Sequence, residues 1–326
     1  MRLLAMVLVW LGFAAHAAAD VPSMRVAVLK FGTVNWLMDT ITHHGLDRKH
    51  GYTLEVVPLA GKAATTIAMQ SGDADAIVTD WVWAMRLREK GVPYAFLPYS
   101  RALGALMVRP EAGIASVCDL KDKPVGVAGG AIDKSWLVLQ AIARRDCGFD
   151  LAAETRSLFG APPLMSRQIE TGDVDAVSTY WHFAARLEAN GMKRHLGIAQ
   201  ALAALDIAPA PPLIGFVWNA DAIGDRKMLI EGFAGSVREA SQMLASNDAE
   251  WDRLRPKMKA KADAEFVLLR DYYRTGIVNE WTPADTQAAQ RLHEALIGIG
   301  GQAYRNTSGP FDPTLFDAAI SLGENG

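Results

Sequence analysis

Two rhythms alternate along the chain from residue 24 onward. Short apolar runs of strand length are followed by stretches whose apolar residues recur at helical spacing. The pattern predicts strands over 25–30, 52–59, 76–80, 94–99 and 105–109, and helices over 36–50, 63–71 and 83–90. It then begins again, with strands over 124–128, 155–159 and 176–179 and helices over 134–145, 165–171 and 182–190. Strand–helix alternation of this kind predicts a mainly parallel sheet with helices on both faces, and two rounds of it predict two α/β lobes. A proline-rich stretch, 208–212, precedes an apolar strand over 213–218, and there the chain is expected to cross back to the first lobe. The remainder reads as helical over 225–246 and 265–275. Thr282-Pro283 and Asp312-Pro313 are helix starts, a capping residue followed by proline at the first helical position. These helices are expected to clad the first lobe.

The segment ahead of this alternation has another character. Met1-Arg2 is a short basic start, residues 3–15 are almost unbroken apolar, and Ala17-Ala18-Ala19 supplies small residues before Asp20. That is the plan of a secretory signal, with cleavage expected after Ala19 or Ala17. The run is shorter than the roughly 20 residues of a membrane-spanning helix, which argues against a retained anchor. The expected organisation is a signal peptide over 1–19, the first part of lobe 1 over 20–110, lobe 2 over 111–211, and a return to lobe 1 over 212–326. Export implies a periplasmic location. Removing residues 1–19 takes Arg2 with it and moves the formal charge from -3 to -4. Neither value, nor any basic cluster interleaved with aromatics, suggests a nucleic-acid partner.

Two cysteines, Cys118 and Cys147, fit an oxidising compartment. Cys118 lies just before the strand over 124–128, and Cys147 ends the helix that follows it. That helix runs back toward the strand's start, so both thiols belong at one end of the sheet. Either a disulfide or two buried thiols would satisfy this placement, and nothing beside either residue suggests a catalytic nucleophile.

The most informative feature is internal. Residues 71–91, SGDADAIVTDWVWAMRLREKG, align without gaps to residues 171–191, TGDVDAVSTYWHFAARLEANG, with ten of 21 positions identical at an offset of 100. In both copies a Gly-Asp turn feeds a short strand that ends in Thr-Asp-Trp or Thr-Tyr-Trp, and a helix begins at once. Ligands of open parallel sheets bind beyond the carboxyl ends of the strands. Thr79, Asp80 and Trp81 should therefore face Thr179, Tyr180 and Trp181 across one cleft, unless the tryptophans pack the helices onto their sheets instead. The same rule adds Asn35 and Trp36 after the first strand, Gly61-Lys62 after the second, and Ser100 and Arg101 after the fourth. In the second lobe Gly130, Asp133 and Ser135 open a helix whose N-terminus favours an anion. Asp133 replaces the glycine expected before Lys134-Ser135 in a nucleotide P-loop, so that reading is excluded. Asp80 and Asp133 with the aromatic residues suit a cationic group. Arg101 and Lys134 suit an anionic one, and a zwitterion or flat heterocycle would satisfy both, whereas a sulfonate or nitrate alone fits less well beside two carboxylates.

The signal sequence, the Ser71-Gly-Asp-Ala-Asp-Ala turn, the segment Asp119-Leu-Lys-Asp-Lys-Pro-Val-Gly-Val-Ala and the repeat together resemble the nitrate/sulfonate/taurine and thiamine-precursor branch of ABC-transporter substrate-binding proteins. The resemblance implies a type II periplasmic binding fold: two α/β lobes, a two-segment hinge, and a small molecule held between them. It implies a monomer without cofactor, delivering its ligand to an inner-membrane ABC permease rather than transforming it. Two other roles share the fold. One is an accessory or sensor protein serving a partner enzyme or receptor, marked by a cleft filled with side chains. The other is thiamine-pyrimidine synthesis, for which this chain lacks the family's cysteine-rich motif. His43, His44 and His50 lie close in sequence, but adjacent helical residues diverge, so solvated histidines are expected there rather than a metal site.

Overall fold

The computed structural model describes residues 21–224 and 226–319, so the expected signal peptide lies outside the described residues. The first lobe opens with β1 (Ser23–Leu29), α1 (Val34–His43), α2 (Leu46–Lys49), β2 (Thr53–Leu59), α3 (Lys62–Ser71), β3 (Ala76–Asp80), α4 (Trp81–Arg88) and β4 (Tyr94–Ser100). The second follows with β5 (Ala105–Val108), β6 (Pro124–Ala128), α5 (Lys134–Cys147), α6 (Leu151–Glu154), β7 (Arg156–Gly160), α7 (Pro162–Thr171), β8 (Ala176–Thr179), α8 (Trp181–Ala189), β9 (Lys193–Gly197) and α9 (Ile198–Ala204). Then come β10 (Ile214–Asn219), α10 (Ala220–Ile223), α11 (Lys227–Ser246), α12 (Asp248–Met258), α13 (Asp263–Thr275) and α14 (Pro283–Ser308).

The described strands form two five-stranded sheets of matching design, β2-β1-β3-β10-β4 and β7-β6-β8-β5-β9. In each sheet three parallel strands are followed by one that runs antiparallel, β10 against β3 and β5 against β8. The repeat is visible in the turns. Gly72 and Gly172 end α3 and α7 in the left-handed conformation, at φ 79° and 84°, which a side chain would strain. Beside them the Ser71 hydroxyl donates to Asp73 and the Thr171 hydroxyl to Asp173, so both copies close the same way.

Three expectations are corrected. The run over 105–109 was expected to complete lobe 1, but β5 lies inside the second sheet between β8 and β9, so the first crossing falls at 101–104 rather than at 110. A short apolar strand buried on both sides carries no mark of which sheet it joins. At this crossing a side chain on Gly104 would collide with the Thr179 carbonyl, so the segment hugs the end of β8. The helix expected over 36–50 breaks at Gly45 (φ 63°) into α1 and α2. The C-terminal helices clad both lobes rather than the first alone. Whereas α11 packs on α1 and α2, α13 lies along α8 and α14 against both α4 and α5.

The contacts of α13 with the second lobe are specific. Arg186 of α8 pairs with Glu265 and donates to the Met258 carbonyl at 2.8 Å. The Tyr272 hydroxyl donates to Glu188 at 2.8 Å, and the Arg194 guanidinium lies 4.0 Å from the Tyr272 ring. Among the described residues no helix is long and apolar enough to cross a membrane.

Cys118 and Cys147 are joined in a disulfide, 29 residues apart, that ties the short helical turn before β6 to the end of α5. Closing a loop of that length removes roughly 3–4 kcal/mol of chain entropy from the unfolded state. Reduction, or Cys118→Ser with Cys147→Ser, is expected to lower the denaturant midpoint correspondingly without changing the far-ultraviolet dichroism of the folded state. Equal midpoints with and without reductant would show that the loop contributes no constraint.

Candidate functional site

The centre of the cleft is a buried carboxylate. Asp80 ends β3 and caps α4, its Oδ1 accepting the Trp83 N–H at 3.1 Å. Lys62, at the start of α3 in the same lobe, donates to Oδ2 at 2.7 Å. Lys134, at the start of α5 in the opposite lobe, lies 3.3 Å from Oδ1. Asp80 is 5% exposed, whereas the Lys62 side chain is 58% exposed, so one carboxylate anchors an ammonium that still faces solvent. Burial works against the charged form of Asp80. Lys134, Lys62 and the Trp83 N–H outweigh it and hold the carboxyl far below its ordinary range.

Asp133 is engaged differently. It caps α5, its Oδ1 accepting the N–H groups of Ser135 at 3.0 Å and Trp136 at 3.3 Å, while burial pushes its carboxyl up. Gly130 accepts the Asp133 N–H at 2.9 Å and completes the turn. Neighbouring Gly129 leaves open the space into which the Tyr180 hydroxyl and Asp133 Oδ2 reach; a Cβ there would meet both, at 3.4 and 3.2 Å. Tyr180 precedes α8 and is half-exposed, and burial of its hydroxyl, with Asp133 and Asp80 nearby, pushes the phenol up to about 12. Thr79 and Thr179, the paired strand ends, are buried with hydroxyls that have no protein partner, as is the indole N–H of Trp136.

The repeat's two tryptophans have different fates. Trp181 meets Trp36 across the cleft at 6.1 Å, both 8% exposed or less, and both rings contact Tyr273 of α13, at 6.1 and 5.6 Å. Trp251 of α12 backs the cluster, 5.8 Å from Trp36. Trp81 is not at the rim. It is fully buried among His293, Phe311 and Phe316, in the core beneath α4.

Several other expected ligand contacts are structural. Arg101 is committed to the crossing: its Nη1 donates to Asp285 at 2.5 Å and to the Ala210 carbonyl at 3.0 Å, so it braces both crossing segments against α14. The Ser100 hydroxyl accepts the Ala102 N–H at 3.1 Å, and the backbone of Ser100 bridges to Ile277. Asn35 spends its amide on the carbonyls of Leu29 and Gly32, which fixes the turn that leads to Trp36. Ser135 lies half-buried in the first turn of α5.

The structure therefore brings Asp80, Asp133 and Tyr180 together, packs Trp36 against Trp181, buries Trp81 in the core, and gives Arg101 a structural partner in Asp285. It raises Lys62 and Lys134 to the centre, which the strand-end rule located without showing that they share one carboxylate. The histidines near α1 do not converge on a metal: His44 pairs with Glu250 and His50 with Glu239, each at 3.0 Å. No group of three or more metal-ligating side chains is arranged for an ion among the described residues.

Solved structures share this architecture over almost their whole length. The periplasmic aliphatic sulphonate binding protein SsuA from Escherichia coli matches with a TM-score of 0.69 and 14% identity, covering 91% of each chain. The alkanesulfonate-binding protein SsuA from Xanthomonas axonopodis pv. citri, bound to MOPS, matches at 0.67 and 13%, over 93% of this chain and 99% of that one. The desulfurization enzyme DSZB matches at 0.64 and 16%, over 93% and 98%. No protein-family model and no curated protein matches the chain. The likeness is one of fold: the chain has the two-lobed type II periplasmic binding architecture.

Because the Asp80 carboxyl is held low in the folded state, its contribution to stability is complete above the ordinary aspartate value of about 4 and is lost as pH falls below it. Asp80→Asn keeps an acceptor for the α4 cap and should flatten that part of the slope. Thermal denaturation of both proteins between pH 6 and pH 2 measures this, and parallel curves would refute it.

Proposed function

We propose that the protein captures a small anionic or zwitterionic solute between its lobes and delivers it to an inner-membrane ABC permease, acting as a single chain without cofactor. The observation that carries this reading is the convergence of Lys62 and Lys134, from opposite lobes, on the buried carboxylate of Asp80. Each ammonium has three donors; Lys62 gives one to Asp80 and Lys134 only pairs with it by charge, so donors remain for an oxyanion that touches both lobes at once. A ligand held in this way favours the closed arrangement over the open one by the contacts it makes with both. Simple cations are the poorer fit. Asp80 already receives two donors and pairs with a second ammonium, and Asp133 Oδ1 is occupied by the start of α5.

Two further observations support the assignment. The sulfonate-binding neighbours take oxyanionic ligands by name. The apolar N-terminal run and the disulfide both suit a periplasmic protein. An enzyme shares the fold, but both cysteines of this chain are consumed in the disulfide, which leaves no thiol for nucleophilic chemistry. The accessory or sensor role draws on one observation: Lys134 on Asp80 and Trp181 on Trp36 already join the lobes through side chains alone.

Thermal-shift screening against small sulfonates, amino-sulfonates, carboxylates and amines separates these readings. A solute that binds the folded state raises the melting temperature by mass action, and oxyanions are expected to give the positive shifts. Lys62→Ala and Lys134→Ala should each weaken such a ligand about tenfold or more, the loss of a charge-assisted hydrogen bond. An absence of shifts across the screen would favour the accessory role, and amines alone giving shifts would overturn the oxyanion assignment.

A further inference from the structure

We propose that a projecting tip of the first lobe, Leu29-Lys30-Phe31 with Lys259 beside it, is a docking surface for anionic phospholipid. The inference is independent of what the cleft binds and concerns how the protein meets a membrane.

The tip is the turn that leaves β1. Gly32 closes it by donating its N–H to the Leu29 carbonyl at 2.9 Å, and the Lys30 N–H is held by the Leu59 carbonyl at 2.9 Å. Beyond these backbone bonds the side chains stand clear: Phe31 is 75% exposed and Leu29 41%. Two ammonium groups flank the ring, Lys30 Nζ at 5.9 Å from its centre and Lys259 Nζ at 5.2 Å. Lys259 reaches Phe31 from the end of α12, where it holds the left-handed conformation at φ 53°. Glycine takes such a helix end without strain, and a lysine there is strained, which points to a use for the ammonium it carries.

The charge of this patch is not cancelled by its neighbours. Cations recur at Arg253, Arg255, Lys257, Lys259 and Lys261. Asp39 pairs with Arg253 and Lys257, Glu250 with Arg253, Asp263 with Arg255, and Glu265 with Arg186. Asp248 and Asp252 serve Arg270 and Arg274 of α13 instead. Lys30, Lys259 and Lys261 are left exposed, without an ion-pair partner among the described residues.

The geometry favours a lipid surface over an acidic protein segment. A ring three-quarters open to solvent lies in no pocket, so the patch has no hollow in which to receive a shaped partner. Lysine ammonium groups are point charges on flexible stems, suited to phosphates that are not fixed in position. An aromatic tip among such cations is the pattern of an interfacial contact: the ring enters the headgroup layer while the ammonium groups meet its phosphates. The chain as a whole carries a formal charge of -3, so an anionic bilayer repels most of its surface and this patch sets the orientation. Phe31 follows the carboxyl end of β1, the end at which the cleft lies, so the first lobe meets the bilayer from its cleft side.

The exported protein, without the apolar run over 3–15 that would bind lipid by itself, is sedimented with vesicles of phosphatidylcholine alone or mixed with phosphatidylglycerol. It should associate with the mixed vesicles at low salt, much less with phosphatidylcholine, and release as salt rises to about 0.5 M. Lys259→Gly should weaken association about fivefold, the worth of one lysine at such a surface, and Phe31→Ala about tenfold. Ile67→Ala, which removes an exposed apolar side chain of α3, should change nothing. Unchanged melting temperatures show that the variants are folded. Absence of binding to the mixed vesicles, equal binding to phosphatidylcholine alone, or full binding by both Phe31→Ala and Lys259→Gly overturns the proposal. Labelled hexaglutamate is titrated in parallel by fluorescence anisotropy. If it binds, is lost in Lys259→Gly, and the vesicles do not bind, the patch belongs to an acidic protein segment and the lipid assignment falls. Ligand capture in the cleft stands under every one of these outcomes.

Discussion

Everything around the cleft depends on the need to keep one buried carboxylate ionised. An isolated charge at the end of a central strand would be expelled or neutralised. Asp80 is retained because two donors and a further ammonium from three elements reach it: the first turn of α4, the start of α3, and the start of α5 across the cleft. The first is local, the second fixes α3 against its own sheet, and the third exists only while the lobes are together. Closure is therefore tied to the same group that orders the first lobe. The aromatic cluster of Trp36, Trp181, Tyr273 and Trp251 adds an apolar contact beside this ionic one.

Much of this was legible in the sequence, for physical reasons that can be named. Strand and helix periods differ, so the two rounds of alternation were plain, and the repeat at offset 100 located Asp80 and Tyr180 at equivalent strand ends. What the repeat could not convey is that equivalent positions meet different neighbours. Trp81 and Trp181 open matching helices, yet α4 is roofed by α14 and the segment carrying Phe311 and Phe316, which swallow Trp81. The helix α8 is met by α13 and by Trp36 from the other lobe, and Trp181 stays at the cleft. The roofing helices have no counterpart within the repeat.

Arg101 shows the same limit in electrostatic form. A basic residue after a strand end suggests an anion site, but its partner is Asp285, 184 residues later, and no local pattern pairs them. Asp285 is itself recognisable only as part of the cap that starts α14, where its carboxylate closes a capping box with Thr282. One acid thus ends up serving both a helix start and the crossing. Lys62 and Lys134 show the converse: the strand-end rule put Lys62 at the rim and Lys134 opened a helix suited to an anion, but only the fold shows that they converge on one carboxylate.

The placement of β5 and β10 governs the order in which the molecule can be assembled. Every strand of the second sheet lies between residues 105 and 197, so that sheet can close as soon as its own stretch of chain is present. The first sheet cannot. Its β3 and β4 are joined only through β10, which arrives after the whole second lobe. Until residue 219 emerges, the half-built first lobe carries two open strand edges, the kind of surface that pairs with stray chains. The lobe that comes first in sequence is thus the last to be completed, and its unfinished edges must stay shielded until β10 arrives.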